Sequence, residues 1–277
     1  MIAALSLFSF MSKLICLLMV RNEADIIRQT FEVYARVCDS VFVIDGSDPG
    51  EGTSEYLRDH PKVEYYTRDR DQPKNLKEKI TDHIRLPTFR EICRRYEDGV
   101  VLFGHGDELW LDHDPRVLAS QIEKDWTIVR SIWFFLHTSQ KVGYVYDQHK
   151  PVQDQIRWCA FPGCWEPRLL KITPEAPEYY NALLDRNSDA LKRIYSEKIV
   201  PECFRHYSYR SPLQVYQKAL DRSEVGTGFQ LYHKWAVNAD CFVDCPPIPA
   251  VYGDVEARIQ EVLPGQRIVD GELGIVE

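Results

Sequence analysis

Val100-Val101-Leu102-Phe103-Gly104-His105-Gly106-Asp107-Glu108-Leu109-Trp110 carries a four-residue apolar run straight into a polar turn. Such a run suits a strand buried on both faces. His105 and Asp107, at i and i+2 on a tight turn, can face one divalent cation, and Gly106 lets the backbone approach a ligand. A solvated turn is the alternative, since glycine and aspartate favour turns anyway.

The same grammar recurs upstream. Residues 14–20 (LICLLMV) read as a central strand, with Asn22 as the cap of a helix whose first turn carries Glu23 and Asp25. Residues 41–44 (VFVI) form a second strand ending at Asp45 and a glycine-rich turn. A short helix at 54–59 and a third strand at 63–66 follow. Residues 75–96 read as a charged helical stretch that Pro87 bends or breaks. Alternating strands and helices predict an α/β fold with a mostly parallel sheet, whose ligands bind beyond the carboxyl ends of the strands. Arg21-Asn22-Glu23, Asp45, residues 69–71 and His105 to Glu108 all fall just after strands, so one sheet edge is the candidate site.

The back half reads as strands at 127–136, 143–146 and within 161–172, then a helix opening at Ser211-Pro212. Arg205-His206-Tyr207-Ser208-Tyr209-Arg210 precedes that helix. His206 can ligate a metal, and Arg205 or Arg210 can neutralise phosphate oxygens. An aromatic loop packed on the core is the alternative. Glu166 lies in a proline-bounded turn as a candidate general base, or as the ion-pair partner of Arg168. One domain over 12–277 is expected, with residues 12–110 binding the ligand.

Composition narrows the function. The 277 residues carry 34 basic and 42 acidic side chains, a formal charge of −8, so no general basic surface exists for nucleic acid. Eight cysteines form no CxxC pair, which argues against zinc knuckles and for reduced thiols in a cytoplasmic setting. The apolar residues 1–11 precede rather than follow Lys13, unlike a secretory signal. They read as an upstream-start extension, with Met11 as initiator and peripheral membrane contact as the second reading; no integral span is expected. Walker, GxGxxG and GxSxG motifs are missing, which disfavours P-loop hydrolysis, dinucleotide binding and Ser-His-Asp catalysis.

Together, RNEAD at 21–25, Asp45 with Gly46-Ser47 and Gly52-Thr53, VVLFGHGDELW at 100–110 and RHYSYRSP at 205–212 resemble glycosyltransferase family 2. The likeness covers about 14–110 well and is patchy to about 235. It implies a GT-A type, Rossmann-like sheet with an elaborated acceptor-side half at 111–277. It further implies a metal-dependent, inverting transfer from a nucleotide-sugar, most often a UDP-sugar. By position, Arg21, Asn22, Glu23, Asp45 and Asp71 would contact the nucleotide, with Arg205 and Arg210 at the diphosphate. Asp107 matches the metal-binding aspartate of the family's Asp-x-Asp motif, and His105 stands where the first aspartate is expected. Imidazole there favours Mn²⁺ over Mg²⁺. His206 would complete the metal shell, with Glu166 as base and Glu108 in reserve. The acceptor is not identified: a glycan, lipid-linked sugar, protein, small molecule or modified nucleic acid. The rivals are a metal-dependent phosphoesterase using His105, Asp107, His113 and His206, and a degenerate module that binds nucleotide or glycan without turnover.

Overall fold

The computed structural model describes residues 12–68, 85–122, 125–184, 198–215, 241–244, 258–269 and 272–275. Residues 1–11 and Asp71, both given readings above, lie outside the described residues. The first strand, β1 (Leu14–Val20), is the apolar run expected, and Leu14 to Leu18 have no exposed surface. Its residues alternate between two cores. Leu14, Cys16 and Leu18 pack with α1 (Ile27–Val37), while Ile15 and Leu17 join a second cluster on the opposite face. Fully burying each such aliphatic side chain contributes about 1.5–3 kcal/mol, which is why a polar residue anywhere in this run would unseat the sheet's centre.

Next come β2 (Ser40–Asp45), α2 (Thr53–Leu57), β3 (Val63–Arg68), α3 (Arg85–Arg95) and β4 (Val100–His105). Residues 15–20 pair in parallel with 40–45, and residues 14–19 with 100–105. With β2 also parallel to β3, the front half has the order β3-β2-β1-β4. The chain therefore moves outward from β1 to β3 and returns to the other side of β1 for β4. The crevice between the carboxyl ends of β1 and β4 is the topological switch point, where such sheets bind ligands. α3 is continuous past Pro87 in its described part, so the break expected there is not seen within Arg85–Arg95.

The chain continues through β5 (Glu108–Leu109), α4 (Pro115–Ser120), β6 (Trp126–Phe135), α5 (Val152–Gln155), β7 (Trp158–Lys171), α6 (Ala176–Leu184), β8 (Lys198–His206) and β9 (Arg258–Glu261). A hairpin of β10 (Gln266–Val269) and β11 (Glu272–Ile275) forms a separate two-stranded sheet. β7 joins β4 antiparallel, and the described strands complete one nine-stranded sheet in the order β3-β2-β1-β4-β7-β6-β8-β5, with β9 beside β7. α3 and α6 cover one face through Phe89, Ile92, Ala176 and Tyr180, and α1 covers the other. The fold is thus α/β and Rossmann-like in its front half, with a mixed back half on the same sheet.

Two back-half expectations are corrected. Residues 143–146 form no strand; Tyr144 and Tyr146 instead donate their hydroxyls to the carbonyls of Arg210 and Asp25. The turn expected near Pro162 lies inside β7, where the positive φ of Gly163 and a register shift absorb it as a bulge. The helix expected at Ser211-Pro212 does begin there, with the Ser211 hydroxyl accepting from the Gln214 N–H at 3.2 Å. No helix among the described residues is long and apolar enough to cross a membrane. Cys16, Cys38, Cys93, Cys159, Cys203 and Cys241 are free thiols.

Candidate functional site

Three segments meet at the switch point: residues 21–25 after β1, residues 105–109 after β4, and residues 206–210 at the end of β8. The first two are tied to each other through Gly106. Its N–H donates to the Met19 carbonyl, and its own carbonyl accepts from Thr30. A Cβ on Gly106 would stand 3.0 Å from both Val20 Cγ1 and Glu23 Cγ, so glycine serves the packing of these two loops. The third segment docks by strand pairing, Glu108 opposite His206, and by the Tyr207 N–H donating to the Asp107 carbonyl.

The loop after β1 differs from the helix start expected. Asn22 is left-handed, at φ 53°, and α1 begins only at Ile27, so Asn22 does not cap it. Short polar side chains tolerate that conformation, and Asn22 uses it to exchange two hydrogen bonds with Asp48. The N–H groups of residues 22, 23 and 24 then donate to Ser47, Thr53 and Glu51. Asp45 is fully buried, and its oxygens accept from the Ser47 N–H and the Ser54 and Tyr66 hydroxyls. Burial opposes its charge, but those hydrogen bonds outweigh it and hold the carboxyl below its usual range. In this arrangement Asp45 shapes the 46–54 loop. Arg21 is exposed beside these loops.

Two buried arginines organise the acidic edge. Arg168, on β7, lies 2.5 Å from Glu108 and 2.5 Å from Glu166. Glu108 also accepts from the His105 N–H at 3.0 Å and contacts His105 Nδ1 at 2.8 Å. Burial works against the Glu108 charge, yet Arg168 and His105 win and hold its carboxyl down to about 2. Glu108 has no exposed side-chain surface, whereas Glu166 keeps 25%. Arg210 has none either. It is caged by Glu23 at 2.6 Å, by Asp25 at 2.7 Å and by the Tyr207 carbonyl, with Asp107 at 3.9 Å.

His206 Nε2 stands 3.3 Å from Asp107 Oδ1 and 2.6 Å from Ser208 Oγ. Burial disfavours its charge, but Asp107, and further out Glu108 and Glu166, raise its proton affinity above the ordinary value. His105, Asp107 and Glu108 place one ligand atom each within 4.8 Å of one another. The edge thus gathers five carboxylates (Glu23, Asp25, Asp107, Glu108 and Glu166) against two guanidiniums (Arg168 and Arg210).

Arg205 is not brought to this edge. It alternates with His206 along β8, points to the other face, and forms a bidentate pair with Asp112 at 2.7 Å. His113 is likewise elsewhere, with Nε2 3.2 Å from the Ile268 carbonyl. The four-residue phosphoesterase set is therefore not assembled. Asp25 and Ser208 also stand at this edge, and sequence reasoning passed over both. Their signal was position: Asp25 closes RNEAD, and Ser208 sits two residues after His206.

No family model matches this chain, and no curated protein matches it. Among solved structures, an inositol-1-phosphate CTP transferase from T. maritima aligns with 79% of this chain and 98% of that one. The identity is 10% and the TM-score 0.35.

Proposed function

We propose that this protein is a metal-dependent, inverting glycosyltransferase that takes its sugar from a nucleotide-sugar, a UDP-sugar first. The observation that carries this reading is the gathering of Asp107, His206 and Glu166 at the switch-point crevice, on an edge where five carboxylates meet two guanidiniums among the described residues. The loops after β1 and β2, rigidified by the Asn22–Asp48 pair, would bound the nucleoside. The donor set for a cation fits: His105, Asp107 and His206 mix imidazole and carboxylate, which suits Mn²⁺ ahead of Mg²⁺. Bound there, the cation would neutralise charge growing on a leaving diphosphate.

The chain's own residues supply the rest. Glu166 is the better of the two base candidates, because its partial exposure lets an acceptor hydroxyl reach it, while Glu108 is buried under Arg168. Arg210 serves by fixing Glu23 and Asp25 beside Asp107; reaching a phosphate would require its carboxylate cage to open. The domain reading stays a single unit over 12–277, with the acceptor side built from 111–277. A catalytically silent nucleotide- or glycan-binding module is the second reading, favoured by that closed cage.

The test is a panel of nucleotide sugars with Mn²⁺ or Mg²⁺, read by donor hydrolysis and by protection against thermal unfolding. Cleavage of a UDP-sugar is expected. Protection without cleavage supports the silent module, and neither effect with any donor sinks both.

A further inference from the structure

A cavity of about 520 Å³ opens against residues 24–29, bounded by Glu51 and Tyr56 on one side and by Gln148 and His149 on another. That volume falls within the range of small-molecule sites, about 300–1,000 Å³. Its walls are fastened to each other. The Gln29 amide donates to the Gln148 and Lys150 carbonyls at 3.4 and 3.0 Å and accepts from the Val152 N–H at 2.8 Å, which ties residues 148–152 to α1. Of the carboxylates at the acidic edge, Asp25 alone borders this cavity.

The charged side chains around it differ in what they already hold. Both Asp25 oxygens are taken by Arg210, at 2.9 and 2.7 Å. Glu51 accepts from the Ala24 N–H at 2.9 Å and from the N–H and hydroxyl of Thr53 at 3.1 and 2.5 Å. Arg28 is the exception. Among the described residues its guanidinium forms no ion pair, and it lies over the Tyr56 ring, 4.9 Å from the centroid. Stacking leaves the planar fork little rotamer freedom to lose, so its N–H donors are pre-organised for an oxyanion. From the 148–152 segment, the His149 ring has no partner among the described residues; its backbone N–H bonds to Asp147. A cation entering this cavity meets carboxylates already satisfied, whereas an oxyanion meets an unpaired guanidinium. The volume leaves space beyond the oxyanion for the body of a small molecule.

We propose that this cavity binds a small molecule through an oxyanion, a phosphate or a carboxylate, gripped by Arg28 with His149 beside it. The site is separate from the switch-point crevice and does not depend on the transferase reading. Phenyl phosphate and benzoate are titrated into the full chain labelled with ¹⁵N-arginine, in EDTA so that no cation occupies the acidic edge. The Arg28 Nε–H resonance, assigned by its absence from Arg28→Gln, should shift and saturate, and the tighter probe names the oxyanion. By calorimetry with that probe, Arg28→Gln should weaken binding about tenfold or more and His149→Gln about threefold or more. Arg36→Gln removes the same charge from the exposed far end of α1 and should stay within about twofold. No shift with either probe overturns the site. So does unchanged affinity in both Arg28→Gln and His149→Gln, or an Arg36→Gln loss as large as that of Arg28→Gln, which marks bulk charge rather than a built site.

Discussion

Replacing Arg168 with methionine tests how the acidic edge is held. The side chain keeps its length and apolar body but leaves Glu108 charged, fully buried and without its guanidinium. Breaking a buried ion pair by removing one partner costs about 3–5 kcal/mol. The lowered Glu108 carboxyl points the same way, since Arg168 leads the groups that favour its charge, ahead of His105. At about 2 °C per kcal/mol for a chain of this size, the variant should melt about 6 °C below the wild type at pH 7. The sign with pH follows from the lowered value. The Glu108 contribution is complete above about 4.5 and is lost as pH falls toward about 2, so the gap between the two proteins should narrow in acid. Urea unfolding at pH 7 and pH 3.5 measures both. A variant within 1 kcal/mol of wild type at pH 7, or a gap that widens in acid, would refute the reasoning. Adding Glu108→Gln to the variant should recover part of the loss, because the orphaned charge goes with it.

Asp107→Asn should abolish metal-dependent turnover while circular dichroism stays unchanged; undiminished activity removes Asp107 from the site. Arg205→Met should cost about 3 kcal/mol through the stranded Asp112 carboxylate, yet leave KM for the nucleotide donor unaltered, since Arg205 faces away from the edge. Gly163→Ala should destabilise by about 2–4 kcal/mol in urea, because the residue has φ 75° and a Cβ there would lie 2.2 Å from the Ser131 carbonyl oxygen. Asp45→Asn should cost about 1–2 kcal/mol at neutral pH and less as pH falls below the ordinary carboxylate range, where the wild-type carboxyl begins to lose its charge.

The front of the sheet was legible because burial on both faces leaves an unbroken apolar run. LICLLMV and VVLF admit few other interpretations, and both are central strands. Asn22 was not legible, and the reason is chemical. The short amide that favours a helix cap also tolerates the left-handed region, so one residue type predicts two backbones. Asp45 shows the same degeneracy, since a carboxylate at a strand end can serve a ligand or its own turn. Here Ser47, Ser54 and Tyr66 take its oxygens. The Arg205 assignment failed on parity. Read as a loop, RHYSYRSP lets both arginines and the histidine share one site. Once β8 is seen to run to His206, neighbours must point to opposite faces, and Arg205 is lost to the core.

What no local reading reaches is the pairing that assembles the edge. Arg168 meets Glu108 across 60 residues of chain, and Arg210 meets Glu23 across 187. The two contacts are secured differently. Arg168 lies on β7, whose pairing sets Leu102 opposite Leu169, so the strand ladder fixes it whatever its charge does. Arg210 lies beyond the end of β8, held by Glu23, Asp25 and the Tyr207 carbonyl. A shift in the β4–β7 register would therefore strand Glu108 while leaving the Glu23 cage whole. Neutralising Glu23 and Asp25 would instead loosen the segment that carries Ser208 while leaving Arg168 in place. The acidic edge has two supports, joined where Glu108 pairs with His206 and the Tyr207 N–H bonds to the Asp107 carbonyl. That explains how it concentrates five carboxylates in a partly buried crevice: each guanidinium restrains its own pair, and Asp107 stands between them facing His206.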